Sequence, residues 1–320
     1  MTDPTLDARI ILGVAQVVLT LLVAPLLLGI TKRVKARLQY RRGPDLLQPY
    51  RDLRKWWAKE SVESDVAGPV SRAVPVVVLA ATLAATLYIP IVAAWAPLDG
   101  WGDLVLVVGL MALARFALAL GALDAGGAFG GMGSSREVAI STLVEPALLL
   151  ALAGAAVAAG STDLGTIAAH GAEAGTAWYT PALLLAAAAF AIVAVAETGH
   201  EPVDNPDTHL ELTMIHEGML LEATGPRLAM LTYAAELKVV VVIGLFAAAF
   251  LPAGVATALT PLALAVAIGA ALGKLVLAAV ILGLLDATLA KLRILALPGL
   301  LATASIVAAI GLATRLWLPA

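Results

Sequence analysis

Cysteine is missing from all 320 residues. That excludes disulfides, thiolate zinc sites and cysteine-ligated iron–sulfur clusters within the chain. Any redox chemistry linked to it must sit on a partner or a bound cofactor. Charge is the second scarcity. Asp, Glu, Lys and Arg make up 13% of the residues, about half the share of a soluble domain, so much of the surface has to face lipid. A basic n-region is also absent: MTDPTLDAR is acidic and polar, and no cleavable signal is expected. There is no nucleic-acid-binding signal.

What remains is apolar: 61% hydrophobic residues and a mean hydropathy of +0.95. The expected fold is an all-α polytopic membrane protein, a single integral domain over 1–320. A span needs about 20 apolar residues. Eight are expected, over 8–31, 73–95, 102–122, 138–160, 180–197, 227–251, 261–285 and 295–317. The alanine-rich 182–196 stretch is expected to be buried among other helices. The net charge of −3 says little, but its distribution sets an orientation. Eleven Lys and Arg fall between Lys32 and Arg72, and Arg136, Arg227, Lys291 and Arg293 lie in later loops on the same side. The opposite loops, 96–101, 161–179 and 252–260, have none. By the positive-inside rule the basic loops face the cytoplasm and both termini face outward, in the cell (inner) membrane. Three cytoplasmic segments then stand out as coupling loops: 32–72, 123–137 and 197–226.

The last of these holds most of the chemistry. ETGHEPVDNPDTHLELTMIHEGMLLEATG, from Glu197 to Gly225, carries seven carboxylates: Glu197, Glu201, Asp204, Asp207, Glu211, Glu217 and Glu222. Three of the four histidines, His200, His209 and His216, lie there too. Such a cluster between membrane helices is costly unless protons or cations use it. Pro202 and Pro206 keep 198–206 irregular. Asp207 or Thr208 can cap a helix running to about Glu222. On that helix Glu211 and Glu222 would lie about 20° apart, as would His209 and His216 on another face. Crowded carboxylates raise one another's pKa, and imidazoles titrate near neutrality, a set suited to relaying protons. A solvated acidic loop is the plain alternative, but Leu212, Met214, Ile215, Met219 and Leu220 argue for one buried side. His216-Glu217 begins like H-E-x-x-H, yet Leu220 occupies the second histidine position, so no metal is expected.

Within the spans, Glu145 precedes Pro146, whose ring frees a backbone carbonyl nearby. A lone Glu there would be neutral and able to pick up protons; the alternative is a structural carboxyl bonded across helices. Arg115, Lys238 and Lys274 also fall inside spans. Glu236 and Lys238 face apart on their helix and are each expected to pair with another. A polar chain from the loop carboxylates through Glu145, Glu236 and Lys274 is one ordering. In the first loop, Pro49 opens a short amphipathic helix with Tyr50, Leu53, Trp56 and Trp57 on one side and Arg51, Arg54, Lys55 and Lys59 on the other. It is either an interfacial anchor or a docking surface. LDAGGAFGGMGSSREV, 123–138, does not fit a phosphate-binding loop; its glycines serve close backbone approach. Asp124, Arg136 and Glu137 could pair at the end of the bundle.

Three motifs carry a resemblance over nearly the whole chain: RRGPDLLQPYRDLRKWWAKE (Arg41–Glu60), LDAGGAFGGMGSSRE (Leu123–Glu137) and ETGHEPVDNPDTHLELTMIHEGMLLE (Glu197–Glu222). The chain resembles the membrane subunit shared by respiratory complex I and the energy-converting NiFe hydrogenases. Within that superfamily it is most similar to the formate hydrogenlyase branch. It departs where His200 stands for an arginine and Ala223-Thr224-Gly225 for Y-S-G. The resemblance implies a non-catalytic anchor and coupling subunit. Glu197, Asp204, Asp207, Glu211 and Glu222 would form an acidic funnel, and Glu145 would be the first membrane proton site. Arg41, Arg42 and Arg136 would be charge partners, with Arg51, Arg54 and Lys55 as further docking groups. The implied partners are hydrogenase-like large and small subunits, an iron–sulfur protein and antiporter-like membrane subunits. The NiFe centre and iron–sulfur clusters would sit on those chains, with none in this one. Quinone binding, as in a complex I-type subunit, and stand-alone ion transport are the competing readings.

Overall fold

A computed structural model describes residues 6–62, 64–95, 98, 103–204 and 214–317. Among the described residues ten α-helices follow in order: α1 (Leu6–Leu38), α2 (Gln48–Trp57), α3 (Pro69–Thr86), α4 (Leu104–Asp124), α5 (Ala128–Ala159), α6 (Leu164–Ala174), α7 (Pro181–Glu197), α8 (Gly225–Phe250), α9 (Pro261–Thr288) and α10 (Leu297–Trp317). Seven of these are long and apolar enough to cross a membrane. An eighth span arises if α6 and its following turn are joined to α7, across a bend of 120°. α7 sits between α5 and α10, with Ala186, Ala189, Phe190 and Val193 fully buried. Its alanines let neighbours approach closely, which is how helices associate where lipid removes the hydrophobic drive. Phe190 meets Phe246 and Phe250 of α8 at centroid distances of 5.6 and 5.5 Å. α3 packs on α4 and α8, and α1 on α8 and α9.

The short helix α2 forms where Pro49 predicts it, with proline in its first turn and Trp57 exposed. Three boundaries differ from the sequence reading. The span expected over 73–95 stops at Thr86, and 87–95 run irregularly through buried surroundings. Pro90 cannot donate to a continuing helix. The freed backbone pairs elsewhere: Ala94 N–H donates to Ala256 O and Ala256 N–H to Val92 O, both at 3.0 Å. Buried Gln16 of α1 adds two bonds, donating to Ile89 O at 2.6 Å and accepting from Val92 N–H at 3.1 Å. Irregular backbone at membrane depth is tolerated when every group is satisfied in this way.

The second difference is the glycine-rich 123–137 segment, expected as a loop. Most of it is the first two turns and more of α5. Glycine costs a helix up to about 1 kcal/mol per residue, but here it allows contact. A Cβ at Gly133 would stand 2.8 Å from Ile215 O. The third is the helix expected from Asp207 to Glu222. Asp207, His209 and Glu211 lie outside the described residues. From Met214 onward the chain forms turns and a 3-10 helix, Glu217–Leu220, so the expected α-helix does not run on to Glu222. The cause is Asp204, whose carboxylate takes the N–H groups of Ile215 (3.2 Å) and His216 (3.0 Å) away from any helical ladder.

Candidate functional site

One buried cation organises the centre of the bundle. Arg115 of α4 has a side chain 6% exposed and faces three carboxylates from two other helices. Its Nε lies 3.2 Å from Glu137 Oε1 and its Nη1 donates to Glu145 Oε1 at 2.5 Å, both on α5. Its Nη2 donates to Glu197 Oε2 at the end of α7. Lys238 of α8 brings a second cation within 3.2 Å of Glu197 Oε1. A guanidinium offers five donors in a fixed plane and does not lose its proton in proteins, so it suits a hub better than any other side chain.

The cluster continues outward through His216. Its Nδ1 is 3.2 Å from Asp204 Oδ2, and its Nε2 is 3.3 Å from Glu137 Oε2. The second contact is an ion-pair distance without hydrogen-bond alignment, since neither atom has a hydrogen-bond partner. Asp204 is held in turn by Lys291 Nζ at 2.7 Å. The segment that carries it starts with Gly199 at φ +69°, where a Cβ would stand 2.8 Å from His216 Nδ1. Burial pushes the Asp204 carboxyl up, but His216 and Lys291 outweigh it and hold the group far below the usual carboxylate range. Burial likewise disfavours a charged His216. Glu137 and Asp204 win, so its pKa is raised above the ordinary imidazole value.

A line of polar groups therefore runs Lys291–Asp204–His216–Glu137–Arg115, and from there to Glu145 and to Glu197–Lys238. It carries acidic and imidazole groups that can bind protons and three cations, Lys291, Arg115 and Lys238, that fix their positions. No group of three or more His, Asp or Glu placed to hold a metal ion occurs among the described residues.

A family profile described as NADH dehydrogenase matches residues 10–315. The chain belongs to the NADH dehydrogenase family. It is 37% identical to formate hydrogenlyase subunit 4 of Escherichia coli (strain K12), over 87% of this chain and 90% of that one. It is 36% identical to hydrogenase-4 component C of the same organism, over 89% of each. Among solved structures, the membrane-bound sulfane sulfur reductase, an archaeal respiratory membrane complex, contains a chain that superposes with a TM-score of 0.82. That match covers 97% of this chain and 99% of the other at 24% identity, and it bears on the fold.

The structure gathers Glu145, Glu197, Asp204 and His216 into one network. Glu145 is not the lone carboxyl of the sequence reading: Arg115 pairs it. The other expected residues lie elsewhere. His200 Nδ1 faces Asp286 Oδ2 of α9 at 2.9 Å. Glu217 opens the 3-10 turn, and Glu222 lines a small cavity of about 50 Å³ with Ser71, Met219 and Arg227. Glu236 is buried, with Lys32 and Asp52 the charges that face it, and its Oε2 has no hydrogen-bond partner. Lys274 donates to Leu251 O at 2.5 Å, so the polar ordering through Glu236 and Lys274 is replaced by the Arg115 line. Arg41 and Arg42 line a wide cavity with Glu201, Asp286 and Lys291. Arg51 pairs with Asp45 at 2.9 Å, while Arg54 and Lys55 are exposed on α2. Arg136 donates to Met214 O at 3.2 Å, and Asp124 accepts from Ser71 N–H at 2.8 Å; neither is paired with Glu137.

Arg115 and Lys291 are the network members that sequence reasoning left without a role; Lys238 was expected to pair with another helix, as it does with Glu197, and Glu137 with Asp124 and Arg136. Arg115 and Lys238 carried a usable signal, since an ionisable group inside an apolar span defaults to function. Glu137 was obscured by the glycines before it.

Proposed function

We propose that this chain is the membrane-anchor and energy-coupling subunit of a multi-subunit hydrogenase-type redox complex. In this reading it links electron transfer in a soluble arm to the movement of protons or sodium ions. The observation that carries it is the line from Lys291 to Lys238, which begins in a loop and ends between spans. The relatives' names support the hydrogenase type of complex. Nickel–iron and iron–sulfur centres would sit on large, small and iron–sulfur partner subunits, and the ion channels on antiporter-like membrane partners. The chain's own residues supply charge and protons. A change of charge in the arm is felt at Asp204 and Lys291, and the His216–Glu137 joint passes it on only when the ring and carboxyl align. Loops bearing the basic residues share one end of the bundle with this network, which supports a cytoplasmic funnel and outward termini in the cell membrane.

The test is Glu145→Gln in the intact complex, reconstituted in vesicles. Ion translocation is expected to fall to about a hundredth, the scale for losing one acid–base group, while redox activity of the soluble arm persists. Unchanged translocation sinks the coupling reading. Quinone reduction sensitive to quinone analogues would instead favour a complex I-type role, to which the family description lends support. Ion transport by the purified chain alone would favour a transporter.

A further inference from the structure

Glu201 lies beside the network but is bonded to none of its members by its own carboxyl. It is 2% exposed, and its Oε2 has no hydrogen-bond partner. It also lines an open cavity of about 1040 Å³ between the loop-bearing ends of α1 and α9. The other charged groups on that wall are Lys32 and Lys35 of α1, Arg41 and Arg42 of the following turn, Asp286 of α9, and Lys291. Its backbone is fixed from both sides. Glu201 N–H donates to Asp286 Oδ1 at 3.1 Å, His200 Nδ1 faces the other oxygen of Asp286, and Leu292 N–H donates to Pro202 O at 2.8 Å. The α9–α10 corner thus clamps the 200–204 segment and holds this carboxyl at the cavity wall.

A buried carboxylate with an unsatisfied oxygen is costly, and binding a proton is the ordinary way to remove that cost. We propose that Glu201 is the proton-loading group at the head of the relay, filled from the cavity and coupled to Asp204 through Lys291, which lines the same cavity and holds Asp204. The step is one proton transfer: an O–H bond forms on Glu201, and a hydronium ion in the cavity becomes water. Loading neutralises a carboxylate on the cavity wall that Lys291 also lines, which leaves that ammonium bound more firmly to Asp204. Unloading has the opposite effect on Asp204 and so on His216. Burial, with Asp286 and Asp204 nearby, pushes the Glu201 carboxyl above its ordinary value, while Lys35 and Lys291 pull the other way. The balance is set by charge at the cavity, where a redox-linked change in a covering partner would be felt.

This role rests on the coupling reading, and the experiment separates the two. The complete complex is purified as parent, Glu201→Gln and Glu201→Asp. Infrared difference spectra are recorded as the pH is lowered, and ion translocation per redox turnover is measured in vesicles. A protonated-carboxyl band present in the parent is expected to lose intensity in Glu201→Gln, translocation to drop severalfold, and Glu201→Asp to recover part of it. An unchanged band overturns the proposal, because Glu201 then stays ionised. A lost band with full translocation overturns it too, because the group then titrates off the route. A parent complex that moves no ion overturns the coupling reading and this role with it. Translocation by the parent that Glu201→Gln leaves intact overturns this role alone.

Discussion

Glu197 and Glu236 end up equally hidden, 3% and 5% exposed, in one bundle. Their surroundings are opposite. Glu197 stands between two cations, Arg115 and Lys238. Glu236 has no ion pair among the described residues: the hydroxyls of Tyr50 and Tyr233, which lie near it, donate to backbone carbonyls of α1 at Leu22 and Leu21 instead. Leu21 O is the carbonyl that Pro25 leaves without its helical donor, which explains why a tyrosine is needed there. The difference teaches where function and structure part. A carboxylate clamped by fixed cations is held charged and can respond to a moving charge. A carboxylate without them is a local cost to the fold.

The largest expected effect tests the clamped side. Arg115→Met removes the shared cation and leaves Glu145 unpaired, Glu137 with His216 alone and Glu197 with Lys238 alone. Breaking a buried ion cluster from one side costs about 3–5 kcal/mol, enough to prevent assembly or to lower the unfolding temperature steeply. Detergent-solubilised thermal unfolding and yield of the assembled complex measure it. A fully assembled, unshifted Arg115→Met complex would break the comparison, because the three carboxylates would then not need the shared cation.

Much of this fold was legible in the residues, for reasons that also mark the limit. Span lengths and hydropathy gave the helices, and Pro49 gave α2, because both signals are local. Glu137 and Arg115 are 22 residues apart and Glu197 is a further 60 along, so no periodicity reports their meeting. Three local signals pointed the wrong way because a distant group overrode them. Glycines at 130 and 133 read as a loop but serve helix contacts. Pro90 ends α3 early because residues around Ala256 take up the backbone. Residues after Met214 have helical composition, yet Asp204 claims their first N–H groups.

A smaller effect is expected at the joint between loop and bundle. His216 has a raised pKa when folded, so its stabilising charge is complete below the ordinary imidazole value of 6.5 and is lost as pH rises through the raised value. Asp204 is depressed, so its contribution is present above the ordinary carboxylate value of 3.8 and is lost as pH falls through the lowered one. Together they give a plateau between those limits. The His216 ring keeps 25% of its surface, and screening limits the alkaline loss to about 1 kcal/mol. Thermal unfolding against pH should show that decline in the parent and none in His216→Asn. An identical alkaline decline in both proteins would place the titrating group elsewhere.

The smallest effect belongs to Glu236. Glu236→Gln keeps the shape and replaces a buried carboxyl that no cation clamps. Replacing a buried group that has no partner is close to neutral and can stabilise, so a change within about 1 kcal/mol is expected. The same unfolding assay used for Arg115→Met reads it, which makes the two variants a direct pair. A loss at Glu236→Gln as large as that at Arg115→Met would mean that Glu236 holds an ionised, partnered state in the assembled complex. The division drawn between the two carboxylate sites would then fail, with the cation supplied by another subunit.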